Sequence, residues 1–188
     1  MQVEIHRDDH HALTSYASIS IAFDVREAVL APVVGDRALR CRSIRPVYRK
    51  DYDAIPGNHP RDWPTRFAVD RAEVFAAYTE GERVGGAMVV VEPSDVVRLG
   101  GKHRHALLWD LRVAPGARGR GVGSALLAAI EDRVRELGFP GIMAETQDVN
   151  VAACRLYAEA GYRVTRVDRN AYPESPEETQ IIWTKMFA

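Results

Sequence analysis

The stretch from Leu111 to Ser124 reads Leu-Arg-Val-Ala-Pro-Gly-Ala-Arg-Gly-Arg-Gly-Val-Gly-Ser. A strand pattern runs into a glycine-rich turn that opens a helical pattern. Gly119, Gly121 and Gly123 allow positive φ and a close approach of backbone to a ligand. The first N–H groups of a helix lack intrahelical acceptors and, with the helix dipole, face an anion. Arg118 and Arg120 add positive charge. In physical terms Arg118, Gly119, Arg120, Gly121, Val122, Gly123 and Ser124 form a pyrophosphate site; a tight turn with surface arginines is the alternative. The glycine spacing is not that of the dinucleotide fingerprint, and the Lys-Ser/Thr ending of an NTPase phosphate loop is missing.

Three side chains could move protons. Tyr157 lies seven positions after Asn150, two helical turns along, so both project to one face. Glu145 has apolar strand neighbours in Ile142 and Ala144, and burial there would raise a carboxyl pKa. Asp110 is expected on one strand face with Leu108 and Arg112, opposite Leu107, Trp109, Leu111 and Val113. Each has a structural alternative: a core tyrosine, a strand-face carboxylate paired with arginine, and an Asp110–Arg112 or Asp110–His pair. Asn150 is a candidate ligand to a bound molecule or a helix cap. His10-His11 and His103/His105 match no ligand pattern, and no metal is expected. Cys41 and Cys154 are 113 positions apart, which is neither a metal pattern nor a disulfide framework. Cys154 reads as a small core residue.

These residues need elements to hold them. Ile19, Ile21, Phe23 and Val25 alternate as a strand does, and a second extended stretch falls near 39–47. Residues 51–64 carry Pro56, Gly57, Asn58, Pro60 and Pro64 and read as a loop. A hairpin is expected from strands at 74–79 and 84–91 around Glu80-Gly81-Glu82. A polar connection over 92–105 precedes a strand at 106–113. A helix is expected over 122–137, with Val122, Leu126, Ala129, Ile130, Val134 and Leu137 on one face. Then follow a strand at 141–146, a helix at 150–160, and strands near 163–168 and 179–187. This order is α/β, with helices flanking a mostly antiparallel, mixed central sheet.

The composition excludes several classes. Twenty-five Lys plus Arg against 26 Asp plus Glu leave a net charge of −1, so bulk positive charge for nucleic acid is absent. A 46% hydrophobic fraction over 188 residues argues against disorder and suits one domain. No apolar run approaches the roughly 20 residues of a membrane span, and with Glu4, Asp8 and Asp9 near the start no signal peptide is expected. A reduced, cytoplasmic setting, no membrane partner and a monomer or homodimer are expected.

The pattern Val113-x-Pro115-x-x-Arg118-Gly119-x-Gly121-x-Gly123 resembles the acetyl-coenzyme A motif of the GNAT acetyltransferases. Asn150-x-x-Ala153-x-x-Leu156-Tyr157-x-x-x-Gly161-Tyr162 resembles that family's second motif. More narrowly, Glu145-Thr146-Gln147 with Asn150, Ala153-Cys154 and Leu156-Tyr157 is similar to streptothricin acetyltransferases, as is Arg42 to Tyr52. Those enzymes follow Asp-Tyr with an acidic run. Here 53–67 is proline-rich and mixed in charge, with Arg61 and Arg66. Arg169-Asn170-Ala171-Tyr172-Pro173 is similar to the ribosomal-protein N-terminal acetyltransferases. The resemblance implies a GNAT fold and acetyl-CoA as cosubstrate. It implies acetyl transfer to a primary amine of a small cationic molecule, or of a protein; a non-catalytic acyl-CoA-binding domain is the reading of another class. It implies one domain over 1–188, with N-terminal strands and a substrate-side loop at 1–73 and a cofactor-binding, catalytic core at 74–188. Tyr157 would be the acid, with Glu145 or Asp110 the base. Leu111, Arg112 and Val113 would pair through their backbone with the pantetheine arm, and Asn150 would reach that arm.

Overall fold

The computed structural model describes residues 2–30, 32–66, 72–91 and 105–187. In chain order the elements are β1 (Glu4–Asp8), α1 (Leu13–Ala17), β2 (Phe23–Val29), β3 (Cys41–Lys50), α2 (Trp63–Arg66), β4 (Ala72–Thr79), β5 (Glu82–Val90), β6 (Ala106–Val113), α3 (Val122–Glu136), β7 (Gly141–Gln147), α4 (Val151–Glu159), β8 (Arg163–Asp168) and β9 (Gln180–Met186). They form two compact units that interleave along the chain. One comprises Met1–Ala22 and Asp51–Ile142, the other Phe23–Lys50 and Met143–Ala188. The pairs β1–β4, β4–β5, β5–β6, β2–β3 and β8–β9 are all antiparallel. With helices packed on strands, this is the mixed α/β class expected.

In the first unit β1, β4, β5 and β6 pair in that order. The β4–β5 hairpin turns through Glu80 (φ 53°) and Gly81 (φ 79°), the two positive-φ positions of a tight hairpin. Val74 to Ala77 are buried without alternation, so β4 is covered on both faces. The neighbours on β5 show what covers such a sheet. A Cβ on Gly85 would meet Val122 and Leu126 of α3 at 3.0 and 3.1 Å, whereas one on Gly86 would meet the Tyr16 ring of α1 at 2.7 Å. Successive strand residues face opposite ways, so α3 lies on one face and α1 on the other. Tyr16, Trp63, Val74 and Met88 form the core under α1. The buried stripe of α3 is Val122, Leu126, Leu127, Ile130, Glu131 and Val134. Leu137 does not join it: it caps the helix and is 38% exposed.

In the second unit β9 lies between β7 and β8, and β2 and β3 make a separate two-stranded sheet. Val25 and Ala28 of β2 pack with Val149 just before α4. Asn150 caps α4, its Oδ1 accepting from the Ala153 N–H at 3.2 Å, and Gly161 (φ 90°) follows its end. Cys154 is fully buried, its Sγ 3.5 Å from Thr146 Oγ1.

Three expectations need correction, and two short elements were not anticipated. The strand expected from Ile19 begins only at Phe23, because the Ser18 and Ile19 amides close the exit of α1 on Ser15 and Tyr16. The loop over 51–64 contains two 3-10 turns and the start of α2. A bulge in β6 between the Met88–Asp110 and Val89–Leu108 pairs inserts Trp109, so the strict alternation expected around Asp110 is broken there. The short β1 and α1, of five residues each, carry too few turns or alternations to show in the sequence. The polar connection expected over 92–105 lies, except for His105, outside the described residues, as does His103. Among the described residues no helix is long and apolar enough to cross a membrane.

Candidate active site

The glycine-rich motif belongs wholly to the first unit. β6 ends at Val113, a 3-10 turn spans Pro115–Ala117, and Gly119 (φ 72°) and Gly121 (φ 84°) lead into α3. A non-glycine residue is strained at such φ, by about 1–2 kcal/mol. At either glycine an added Cβ would meet no atom within 4 Å, so the loop presents an open backbone surface. Gly121 is the N-cap of α3 and no side chain caps the helix. Arg120, Gly121 and Ser124 are exposed beside it, Val122 is buried and Gly123 is half-buried. An open, uncapped helix start of 15 residues with glycines in front of it fits a pyrophosphate group.

Arg118 lies just before this loop and bonds to backbone on both sides of the junction. Its Nε donates to the Val113 carbonyl at 2.9 Å, Nη1 to Ala22 and Nη2 to Ser20, both at 2.9 Å. The guanidinium fastens the strand-to-loop junction to residues 20–22.

Arg112, between Leu111 and Val113, anchors a buried network. Its side chain is 0% exposed, where a charge is stable only if paired. Nε and Nη2 donate to the two oxygens of Asp110, both at 2.9 Å. Nη1 and Nη2 donate to Asp53 at 2.9 and 3.1 Å, and Nη1 also reaches the Ile19 carbonyl at 3.2 Å. The guanidinium carbon lies 5.0 Å from the Tyr16 ring centre and 5.9 Å from that of Trp63. Tyr16 donates its hydroxyl proton to Asp110. Burial pulls the guanidinium pKa down, but Asp110 and Asp53 more than offset it and hold it above the ordinary arginine value. Burial, then the Asp110 charge, push the Tyr16 phenol well above its usual range, so it stays a donor. Asp110 therefore has both oxygens engaged, the structural alternative foreseen for it.

Glu145, Asn150 and Tyr157 lie in the second unit. Glu145 is half-buried on β7 and its Oε1 accepts from the Tyr172 hydroxyl at 2.7 Å. Asn150 uses its side chain as the α4 cap. Tyr157 is 5% exposed, with its ring 5.4 Å from Tyr162 and 6.2 Å from Trp183. Burial pushes the Cys154 thiol up to about 12, which leaves it protonated. Among the described residues no group of three or more His, Cys, Asp or Glu is placed to hold a metal ion.

The structure thus brings Asp110 to Arg112, and sets Asn150 and Tyr157 at the cap and on the body of one helix. Sequence reasoning missed Tyr16, Asp53 and Trp63 as partners of Arg112. An arginine inside an apolar strand was the available signal, since a buried guanidinium requires acceptors. Tyr172 was noted for its motif but not for its bond to Glu145.

The chain matches the family model described as the Acetyltransferase (GNAT) family over residues 39–162. It is 39% identical over 85 residues to streptothricin acetyltransferase A of Bacillus subtilis (strain 168), a match covering 44% of this chain and 49% of that one. The chain therefore spans about half the length of that relative. It is 27% identical over 148 residues to a streptothricin acetyltransferase of Escherichia coli, covering 77% of this chain and 74% of that protein. A crystal structure of a candidate streptothricin acetyltransferase from Bacillus anthracis in complex with acetyl coenzyme A superposes with a TM-score of 0.76 at 23% identity, covering 100% of both chains. That likeness is one of fold. With the family model matched across both motifs, the chain belongs to the GNAT acetyltransferase family.

Proposed function

We propose that the chain is an acetyl-CoA-dependent N-acetyltransferase that transfers acetyl directly to a primary amine of a small cationic molecule, with streptothricin the leading acceptor. The observation that carries this reading is the open backbone cradle at Gly119 and Gly121 leading into the uncapped α3. The streptothricin acetyltransferase relatives support the choice of acceptor. The reading takes residues 1–188 as one working domain, in the cytoplasm, as a monomer or homodimer.

Acetyl-CoA supplies an acyl group activated as a thioester. The loop N–H groups of residues 119–124 hold the pyrophosphate, with Arg120 adding charge. Backbone groups of Leu111 to Val113 pair with the extended, amide-rich arm as an added strand would. Asn150, at the start of the helix that carries Tyr157, is a candidate ligand of the arm on the strength of the family motif.

An alkylammonium with a pKa near 10.4 holds its proton at pH 7, and freeing the lone pair costs about 4.6 kcal/mol. Glu145 takes that proton. Asp110 is the weaker candidate, because Arg112 and Tyr16 already occupy it. Tyr157 gives a proton to the leaving sulfur, which a phenol near pKa 10 can do for a thiolate near 8.5. No covalent acyl-enzyme is required, and the buried, protonated Cys154 is unsuited to form one.

The test is a panel of streptothricin, aminoglycosides, polyamines and N-terminal peptides incubated with acetyl-CoA, with products identified by mass. Acetylated streptothricin is the expected product. Acetylation of the peptides alone would transfer the function to a protein N-terminal or lysine acetyltransferase. No acetylated amine at all would leave an acyl-CoA-binding domain.

A further inference from the structure

We propose that Tyr172 is the positioning residue of the Glu145 carboxylate, an inference that rests on Glu145 being the base. Tyr172 lies 27 positions after Glu145, on the connection between β8 and β9, and its hydroxyl donates to Glu145 Oε1 at 2.7 Å. A carboxylate at the end of a flexible side chain has several rotamers, and only a few aim a lone pair at an acceptor amine. A fixed donor on one oxygen selects among them and leaves the second oxygen to take a proton.

The donor itself is held. At the start of the connection the Asn170 N–H donates to Asp168 Oδ1 at 2.9 Å. Within it the Ser175 N–H donates to the Tyr172 carbonyl at 3.0 Å, and the Glu178 N–H to Ser175 at 3.0 Å. At its end the Thr179 N–H donates to Asp148 Oδ1 at 3.0 Å, and the Asp148 N–H returns a bond to the Thr179 carbonyl at 2.9 Å. Glu178 is 2% exposed and accepts both 2.7 and 2.8 Å bonds from Lys50 Nζ. Asp148, at one end of this clamp, follows β7 directly, the strand that carries Glu145. The loop is therefore tied back to the base's own strand, and the phenol is delivered to the carboxylate from a fixed frame.

The test compares Tyr172→Phe, Glu145→Gln and the double variant with the unaltered chain. Tyr172→Phe removes one oxygen and is expected to keep the melting temperature and the KM for acetyl-CoA. It is expected to lower kcat about tenfold, using the best acceptor of the panel, the fold-change one lost hydrogen bond to a charged group supports. In the Glu145→Gln background the same substitution should change kcat by less than about twofold, because no base is left to aim. A second readout needs no acceptor: the side-chain carboxyl ¹³C resonance of Glu145, assigned by its loss in Glu145→Gln, should move in Tyr172→Phe. An unmoved resonance, or an equal fall of kcat in both backgrounds, overturns the proposal. If Glu145→Gln lowers kcat and Tyr172→Phe does not, the positioning role falls and the base stands. If Glu145→Gln retains full turnover, the base reading falls and takes this proposal with it.

Discussion

Replacing Arg112 by methionine removes the cation from a buried site of the first unit where it makes bonds to Asp110, Asp53 and the Ile19 carbonyl. The guanidinium is 0% exposed, and its partners Asp110 and Asp53 are 10% and 15% exposed at the side chain. Methionine fills much of the volume, so the loss is electrostatic rather than a cavity. Two carboxylates would remain without their shared counter-charge. Breaking a buried pair by removing one partner costs about 3–5 kcal/mol. The two pairs share one cation, so their losses do not add. The ring contacts with Tyr16 and Trp63 disappear as well, which favours the upper half of that range. For a chain of this size each kcal/mol moves the melting temperature by roughly 2–4 °C, so a drop of roughly 8–20 °C is expected. The assay is thermal melting followed by circular dichroism, with urea unfolding to obtain the free energy. The control is the triple variant Arg112→Met, Asp53→Asn, Asp110→Asn, in which no buried charge is left unpaired. It should recover part of the loss. A decrease below about 1 kcal/mol, or a triple variant no more stable than Arg112→Met, would refute the reasoning.

Gly121→Asp should abolish the rise in melting temperature that acetyl-CoA produces, because a side chain and a negative charge would enter the open cradle; the apo fold should lose only about 1–2 kcal/mol from the left-handed φ. Wild-type affinity by calorimetric titration would move the cofactor site elsewhere. Tyr157→Phe should lower kcat by about 10²-fold with little change in acetyl-CoA affinity, and unchanged turnover would return Tyr157 to packing against Tyr162 and Trp183. The Cys154 thiol, raised to about 12 by burial, should resist a thiol reagent at pH 8 in the native protein. The unfolded thiol ionises near 8.5 and the folded one does not, so the stability this difference contributes is present below about pH 8.5 and lost as pH rises toward 12. Cys154→Ala should remove that slope in urea unfolding and leave turnover unchanged.

What could be read from the sequence depended on how local its cause was. The strand at 106–113 and the helix from Val122 were legible because apolar periodicity and a glycine-rich junction set them within one window. The Asn150 cap was legible for the same reason. The partners of Arg112 were not. Asp53 is 59 positions away, and Tyr16 lies on a five-residue helix without a periodic signal. The bulge at Trp109 was equally invisible, since it depends on the register with β5. Arg118 is the instructive case. Its charge beside a phosphate-type loop was legible, but its three bonds to the backbone carbonyls of 20, 22 and 113 were not, because two of those partners lie 98 and 96 positions away. Residue type marked the candidate region, and long-range pairing set how its arginines are held.

Amine-dependent release of coenzyme A thiol tests the proposed function most directly. Purified protein, acetyl-CoA and streptothricin should release one thiol per acetylated amine, and Gly121→Asp should release none above background. Retention of acetyl-CoA binding with no amine-dependent thiol release across streptothricin, aminoglycosides, polyamines and peptides would contradict an acetyltransferase and leave a protein that binds the thioester without using it.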